Sequence, residues 1–195
     1  SITVVETADT TRPVVISATV DLDTRILTIH ADETMKNTPP SKFDTSKIFF
    51  SNVPGSRDTQ IGNNGVIVNS VTHRTLEPTP PLIHPDTTFL NITFTDPMKL
   101  SITVFSGVPG GDGTAMFLDL EEGAISDMAG NTNAETFGIP LVESPDISPP
   151  IVVGANLYLG TGRFTIFFDE TVDLTPTSEM NISAFYISNV ERDLY

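Results

Sequence analysis

Two Asn-x-Ser/Thr sequons, Asn91-Ile-Thr93 and Asn181-Ile-Ser183, are the most specific chemical signals in this 195-residue chain. Glycosylation needs the Asn amide, a hydroxyl two residues on, and exposure. In the alternating stretch Phe89–Phe94, Asn91 and Thr93 share the face opposite Leu90, Ile92 and Phe94, so a glycan there points to solvent. Asn181 is expected in an accessible loop before a strand. If the protein is eukaryotic and secreted, both are the expected glycosylation sites. Hard oxygen donors form the second set: Asp32, Glu33, Asp127, Asp146, Asp169 and Glu170. Such carboxylates could hold calcium between domains, but no stretch has EF-hand spacing. Asp also caps turns by accepting from backbone amides, and that is the stronger expectation.

Catalytic chemistry finds little to work with, and no catalytic, cofactor-binding or metal residue is expected. His30, His73 and His84 lack metal-ligand spacing, and His30 falls on the outward side of a strand. There is no Cys and no Gly-x-Ser-x-Gly elbow. Gly107–Gly113 lacks the Lys-Ser/Thr of a phosphate loop and reads as a mobile turn. A Lys–Asn isopeptide bond would require Lys47 or Lys99 buried beside an Asn and a carboxylate.

The elements that must position these residues read as strands. Val, Ile, Thr and Phe dominate, punctuated by Gly, Pro, Asn and Asp. Strands are expected around Val14–Val20, Arg25–Ala31, Lys47–Val53, Val66–Val71, Phe89–Phe94, Met116–Leu120 and Phe137–Val142. Leu27, Ile29 and Ala31 face one side, Thr28 and His30 the other, the pattern of a half-buried antiparallel strand. Asp96-Pro97 suits a short helix with Asp as N-cap and Pro at the first position, although Ile102–Phe105 could equally be a strand. Lys36–Lys42 reads as a polar loop, and Glu77–Pro85 as an extended connection.

The chain repeats itself at 137 positions. From Pro13 to Val53, 17 of 41 residues are identical to those of Pro150–Val190. Leu27-Thr-Ile-His-Ala-Asp-Glu-Thr-Met falls on Phe164-Thr-Ile-Phe-Phe-Asp-Glu-Thr-Val, and Ile2, Val5, Glu6 and Asp9 fall on Ile139, Val142, Glu143 and Asp146. A period of this length is that of a domain. Residues 1–8 are therefore expected to be the last strand of one repeat, 9–145 a whole repeat, and 146–195 the start of the next. Thr7–Pro13 and Ser144–Pro150 read as corresponding linkers that Pro holds extended. On this reading the chain is a window on a longer polypeptide. No signal peptide or transmembrane helix is present, and no membrane contact is expected of this stretch.

A formal charge of −15 argues against a nucleic-acid partner. The acidic residues are scattered, which argues against a disordered acidic tail. The lack of Cys leaves the compartment open, since domains of this size can be stable without disulfides.

Asp9-Thr-Thr-Arg-Pro13, Leu22-Asp-Thr24, Leu27-Thr-Ile29, Asp32-Glu-Thr-Met35 and Ile125-Ser-Asp-Met-Ala-Gly-Asn131 together resemble the tandem immunoglobulin-like repeats of very large secreted or surface proteins. Such repeats occur in bacterial adhesins and S-layer-like proteins, and a similar version in long algal and protist surface proteins. Phe168-Asp-Glu-Thr-Val172 matches the family phrase well, whereas Ala31 departs from it at the aromatic position. The resemblance implies an all-β fold of tandem antiparallel β-sandwiches joined by short Pro-containing linkers. It also implies a non-catalytic, extracellular or cell-surface building block of a filament, appendage or wall layer. The partners it implies are other copies or neighbouring repeats. A carbohydrate- or cell-binding adhesin stalk and an accessory arm of a secreted enzyme are the alternatives.

Overall fold

The computed structural model describes residues 4–36, 43–62, 65–67, 87–172 and 181–187, which divide into two compact units, Ser1–Ser148 and Pro149–Tyr195. The expectations for Glu77–Pro85, His73, His84 and most of Lys36–Lys42 and Val66–Val71 lie outside the described residues.

The first unit is built on strands β1 (Val15–Asp21), β2 (Ile26–Met35), β3 (Ile48–Ser51), β4 (Thr59–Gln60), β5 (Gly65–Ile67), β6 (Thr87–Phe94), β7 (Phe117–Leu120) and β8 (Thr136–Ser144). They form one sheet in the order β4-β3-β7-β8-β1-β2-β6-β5. All its pairs are antiparallel except β1–β8, which is parallel, with Ala18 opposite Leu141 and Asp21 opposite Ser144. The sheet is therefore mixed, where a purely antiparallel one was expected. Parallel neighbours need a crossover, and here everything from β2 to β7 supplies it.

Alternation decides which side chains are buried. Ala18 and Val20 of β1, Leu27, Ile29 and Ala31 of β2, and Leu90, Ile92 and Phe94 of β6 all point into one core. Ile48 and Phe50 of β3, Leu118 and Leu120 of β7, and Ile139 and Leu141 of β8 meet them there. Phe50 and Phe94 pack edge to face with centroids 5.8 Å apart, although β3 and β6 lie near opposite ends of the strand order. The sheet must curl on itself for these rings to touch. Each fully buried large side chain contributes about 1.5–3 kcal/mol, so this closure is where most of the stability resides.

The short helix α1 spans Asp96–Thr103. Its N-cap is Thr95 rather than Asp96, which lies in the first turn with Pro97. Pro needs no amide partner there, and the acidic side chain suits the positive end of the helix. Met98 and Ile102, four residues apart, bury one face against the core. Ile102 is thus helical, not part of a strand.

In the second unit, β9 (Val152–Tyr158) and β10 (Arg163–Phe168) form a two-stranded antiparallel sheet. Its register is that of β1–β2 moved by the repeat period. Ala18 faces Ile29 and Ala155 faces Ile166; Val20 faces Leu27 and Leu157 faces Phe164. A register shift separates Val15 from Ser17 in the first hairpin, and Phe167 from Phe168 at the corresponding place in the second. The turns agree too, with φ of 61° at Arg25 and 67° at Gly162. This left-handed region costs a side chain energy and Gly almost nothing. Arg25 bears that cost while its guanidinium pairs with Asp96 at the start of α1. The aromatic residues Phe164 and Phe167 of the second hairpin are 43% and 46% exposed.

Candidate functional site

The segment from Val4 to Val14 has no regular secondary structure, yet side-chain oxygens anchor it to the first unit. Asp32, in β2, accepts from the Val14 amide at 2.8 Å, and the Val14 carbonyl accepts from the Asp32 amide at 2.9 Å. The second unit repeats this clamp: Asp169 accepts from the Ile151 amide at 2.7 Å and its own amide donates to the Ile151 carbonyl at 3.0 Å. Asp32 and Asp169 therefore act as caps. Arg12 adds an ion pair to Glu122 at 2.8 Å, exposed on both sides and so of small energetic weight.

The loop after β7 supplies the next anchor. Asp127 is 1% exposed, and its Oδ1 accepts from the amides of Gly130 at 2.6 Å and Asn131 at 2.7 Å. Gly130 sits at φ 96°, the conformation that lets the chain turn back onto the carboxylate. The Asn131 side-chain amide donates to Asp127 Oδ2 at 2.7 Å and to the Asp9 carbonyl at 3.3 Å. The Asp-Met-Ala-Gly-Asn phrase is therefore a self-capped turn whose last residue holds the incoming chain.

This docking brings three carboxylates together. Oxygens of Asp9, Glu33 and Asp127 lie within 4.8 Å of one another. Asp9 Oδ1 accepts from the Thr11 amide at 2.9 Å. Glu33 is half-buried, but its Oε1 is enclosed and has no hydrogen-bond donor among the described residues. Desolvation raises its carboxyl above the usual range, and the negative charges of Asp127, Asp9 and Asp32 push the same way. The group can relieve this by holding a proton, or by sharing a cation. Oxygen donors of this kind suit calcium, which takes roughly six to eight of them, so these three side chains make only part of such a shell.

Of the expected hard ligands, Glu33 and Asp127 thus meet, whereas Asp32 and Asp169 are engaged as caps. Asp146 pairs with Lys99 and accepts from the Ser148 amide at 3.2 Å. Sequence reasoning missed Asp9 as a member of the cluster, although its recurrence as Asp146 was visible. Only the fold of the segment onto β2 reveals it.

Asn91 stands on β6 between the buried Leu90 and Ile92, and its side-chain oxygen accepts from Thr28 Oγ1 at 2.8 Å. Thr93 shares its face, half-buried in both cases. Asn181 is exposed and precedes a short 3-10 turn over Ile182–Ala184, with Ser183 Oγ donating to its side chain at 2.5 Å. His30 lies flat against Phe89 with centroids 4.2 Å apart. Lys47 is 36% exposed at its side chain and donates to the Glu122 carbonyl at 3.0 Å, which is not the buried Asn-and-carboxylate setting an isopeptide bond needs. No helix among the described residues is long and apolar enough to cross a membrane.

Compared with protein-family models, with curated proteins and with solved structures, the chain finds no match.

Proposed function

We propose that this chain is a non-catalytic structural module of a long extracellular protein, one of a series of immunoglobulin-like sandwiches that builds a surface filament, appendage or wall layer. The observation that carries the reading is the recurrence, one period apart, of a hairpin with the same register, the same irregularity and the same left-handed turn position. Sequence identity alone would allow a decayed duplication. Retention of the Asp clamp on the incoming chain, at Asp32 and again at Asp169, favours a unit reused for its connection to its neighbour.

The role follows from how the first unit is tied at both ends. The incoming segment is held through Asp9, Arg12 and Val14, and the outgoing one through Asp146 to Lys99 and Ser148 to Asp23. Tension entering at one end would load β1, and tension leaving at the other would load β8, its parallel neighbour. Those strands would be sheared along their ladder, so several hydrogen bonds share the load. Glycans at Asn91 and Asn181 would cover solvent-facing surface of the same array.

Electron microscopy of the protein isolated from its natural source tests this. Fibres or sheets with a repeat near one module, roughly 40–50 Å for strands of ordinary length, are expected. Compact single particles with no axial repeat would overturn it.

A further inference from the structure

We propose that Asn91 carries an N-linked glycan whose first sugar sits in a groove on the outer face of β1, β2 and β6 and braces those three strands. The register builds the groove. Asn91 of β6 lies opposite Thr28 of β2, which lies opposite Thr19 of β1. The row on one side pairs Phe89 with His30; the row on the other joins Thr93, Ile26 and Asp21. The short side chains of Thr28 and Thr19 therefore form a floor between the taller Phe89 and Ile26. From Asn91 to Thr19 this row spans two strand spacings, about 10 Å. The groove has a volume of about 440 Å³, within the range of about 300–1,000 Å³ that small-ligand sites occupy.

Asn91 is oriented for the modification. Its Oδ1 accepts from Thr28 Oγ1 at 2.8 Å, which fixes the amide and leaves Nδ2 without a partner among the described residues. Thr93, which supplies the sequon hydroxyl, stands on the same face. In the reaction Nδ2 bonds to the anomeric carbon of a glycosyl diphosphate donor. The diphosphate leaves with the electron pair of the broken C–O bond, and Nδ2 gives up one proton. The product is still an amide, so Oδ1 keeps its bond to Thr28 and the sugar begins over the groove floor.

The lining matches a sugar ring, which has apolar C–H faces and a rim of hydroxyls. Phe89 and Ile26 offer the apolar walls, and the Thr19 and Thr28 hydroxyls the polar floor. Asp21 Oδ1 already accepts from the amides of Asp23 at 2.9 Å and Thr24 at 3.0 Å, and its Oδ2 remains to accept from a sugar hydroxyl. The inference rests on the extracellular part of the proposed function, because the modification belongs to secreted chains. Fibres with a bare Asn91 would end this inference alone; a glycan on Asn91 without fibres would end the filament role alone.

Peptide mass spectrometry of the protein from its natural source, after enzymatic glycan release in heavy-oxygen water, should find Asn91 converted to labelled Asp. A bare Asn91 would overturn the proposal. Seating is tested on the whole 195-residue chain with Asn181→Gln, which leaves Asn91 as its one sequon. Made in a eukaryotic secretory host and trimmed to the first sugar, this chain should melt about 2–4 °C above the same chain made bare in bacteria. Thr19→Arg sets a long side chain on the groove floor. It should move the bare chain's midpoint little, since Thr19 is an exposed strand residue, and abolish the gain from the sugar. Equal midpoints for the bare and trimmed chains, or a gain that survives Thr19→Arg, would overturn the seating of the sugar.

Discussion

At the scale of single residues, Glu33 is a carboxylate whose charge the fold disfavours. Its carboxyl is raised in the folded protein by desolvation and by three neighbouring acids. In the window between the ordinary carboxylate value and the raised one, the folded state binds more protons than the unfolded state, so stability falls as pH rises through it. Above that window the penalty is fully present, and below it the penalty is gone. Glu33→Gln should therefore raise the melting temperature at neutral pH, with the gain shrinking as the pH is lowered toward 4. Melting curves of both forms across that range check it, and a variant less stable than wild type at pH 7 would contradict it. Asp119 is a carboxylate that the fold surrounds with donors. It is fully buried and accepts from Ser51 Oγ at 2.6 Å and from the amides of Gly55 at 2.8 Å and Gly138 at 2.7 Å. Asp119→Ala strands those donors, each at about 1–3 kcal/mol, so urea denaturation should show a loss of about 3 kcal/mol or more. Neither residue's environment was legible from sequence. Both Asp119 and Glu33 depend on partners from segments far along the chain.

At the scale of elements, the strands were readable wherever one face is buried. Leu27, Ile29 and Ala31, and again Leu90, Ile92 and Phe94, announce their burial by alternation because the pleat forces it. Order in the sheet was not readable, since β1–β8 is a contact between the two ends of the unit and no local pattern encodes it. The start of α1 was misplaced by one residue for a related reason: Thr95 and Asp96 are both good caps, and only the extended backbone of Thr95 separates them. The start of β8 depends on a close approach. Gly138 has φ 73°, and a Cβ there would meet Pro54 at 2.8 Å. Gly138→Ala should cost about 1–3 kcal/mol from the strained backbone and the crowding together. A thermal midpoint unchanged from wild type would refute this account of the turn.

At the scale of the whole molecule, the two hairpins share a sequence pattern and a register but not an environment. The first has β6 and β8 as neighbours; the second is a two-stranded sheet among the described residues, a structure marginally stable by itself. The repetition itself was fully legible in the sequence, because identity survives at turn, clamp and core positions together. What it serves was not, since a module that bears load and one that merely spaces domains use the same strands.

Stretching single molecules of the protein from its natural source tests the central claim most directly. A series of mechanical modules predicts a sawtooth of force peaks, each releasing one repeat of 137 residues. At about 3.5 Å per extended residue, less the folded span, the increment is roughly 430 Å. Several equal increments of that length would support the tandem array. A trace without repeated increments, or with increments unrelated to the repeat, would contradict it.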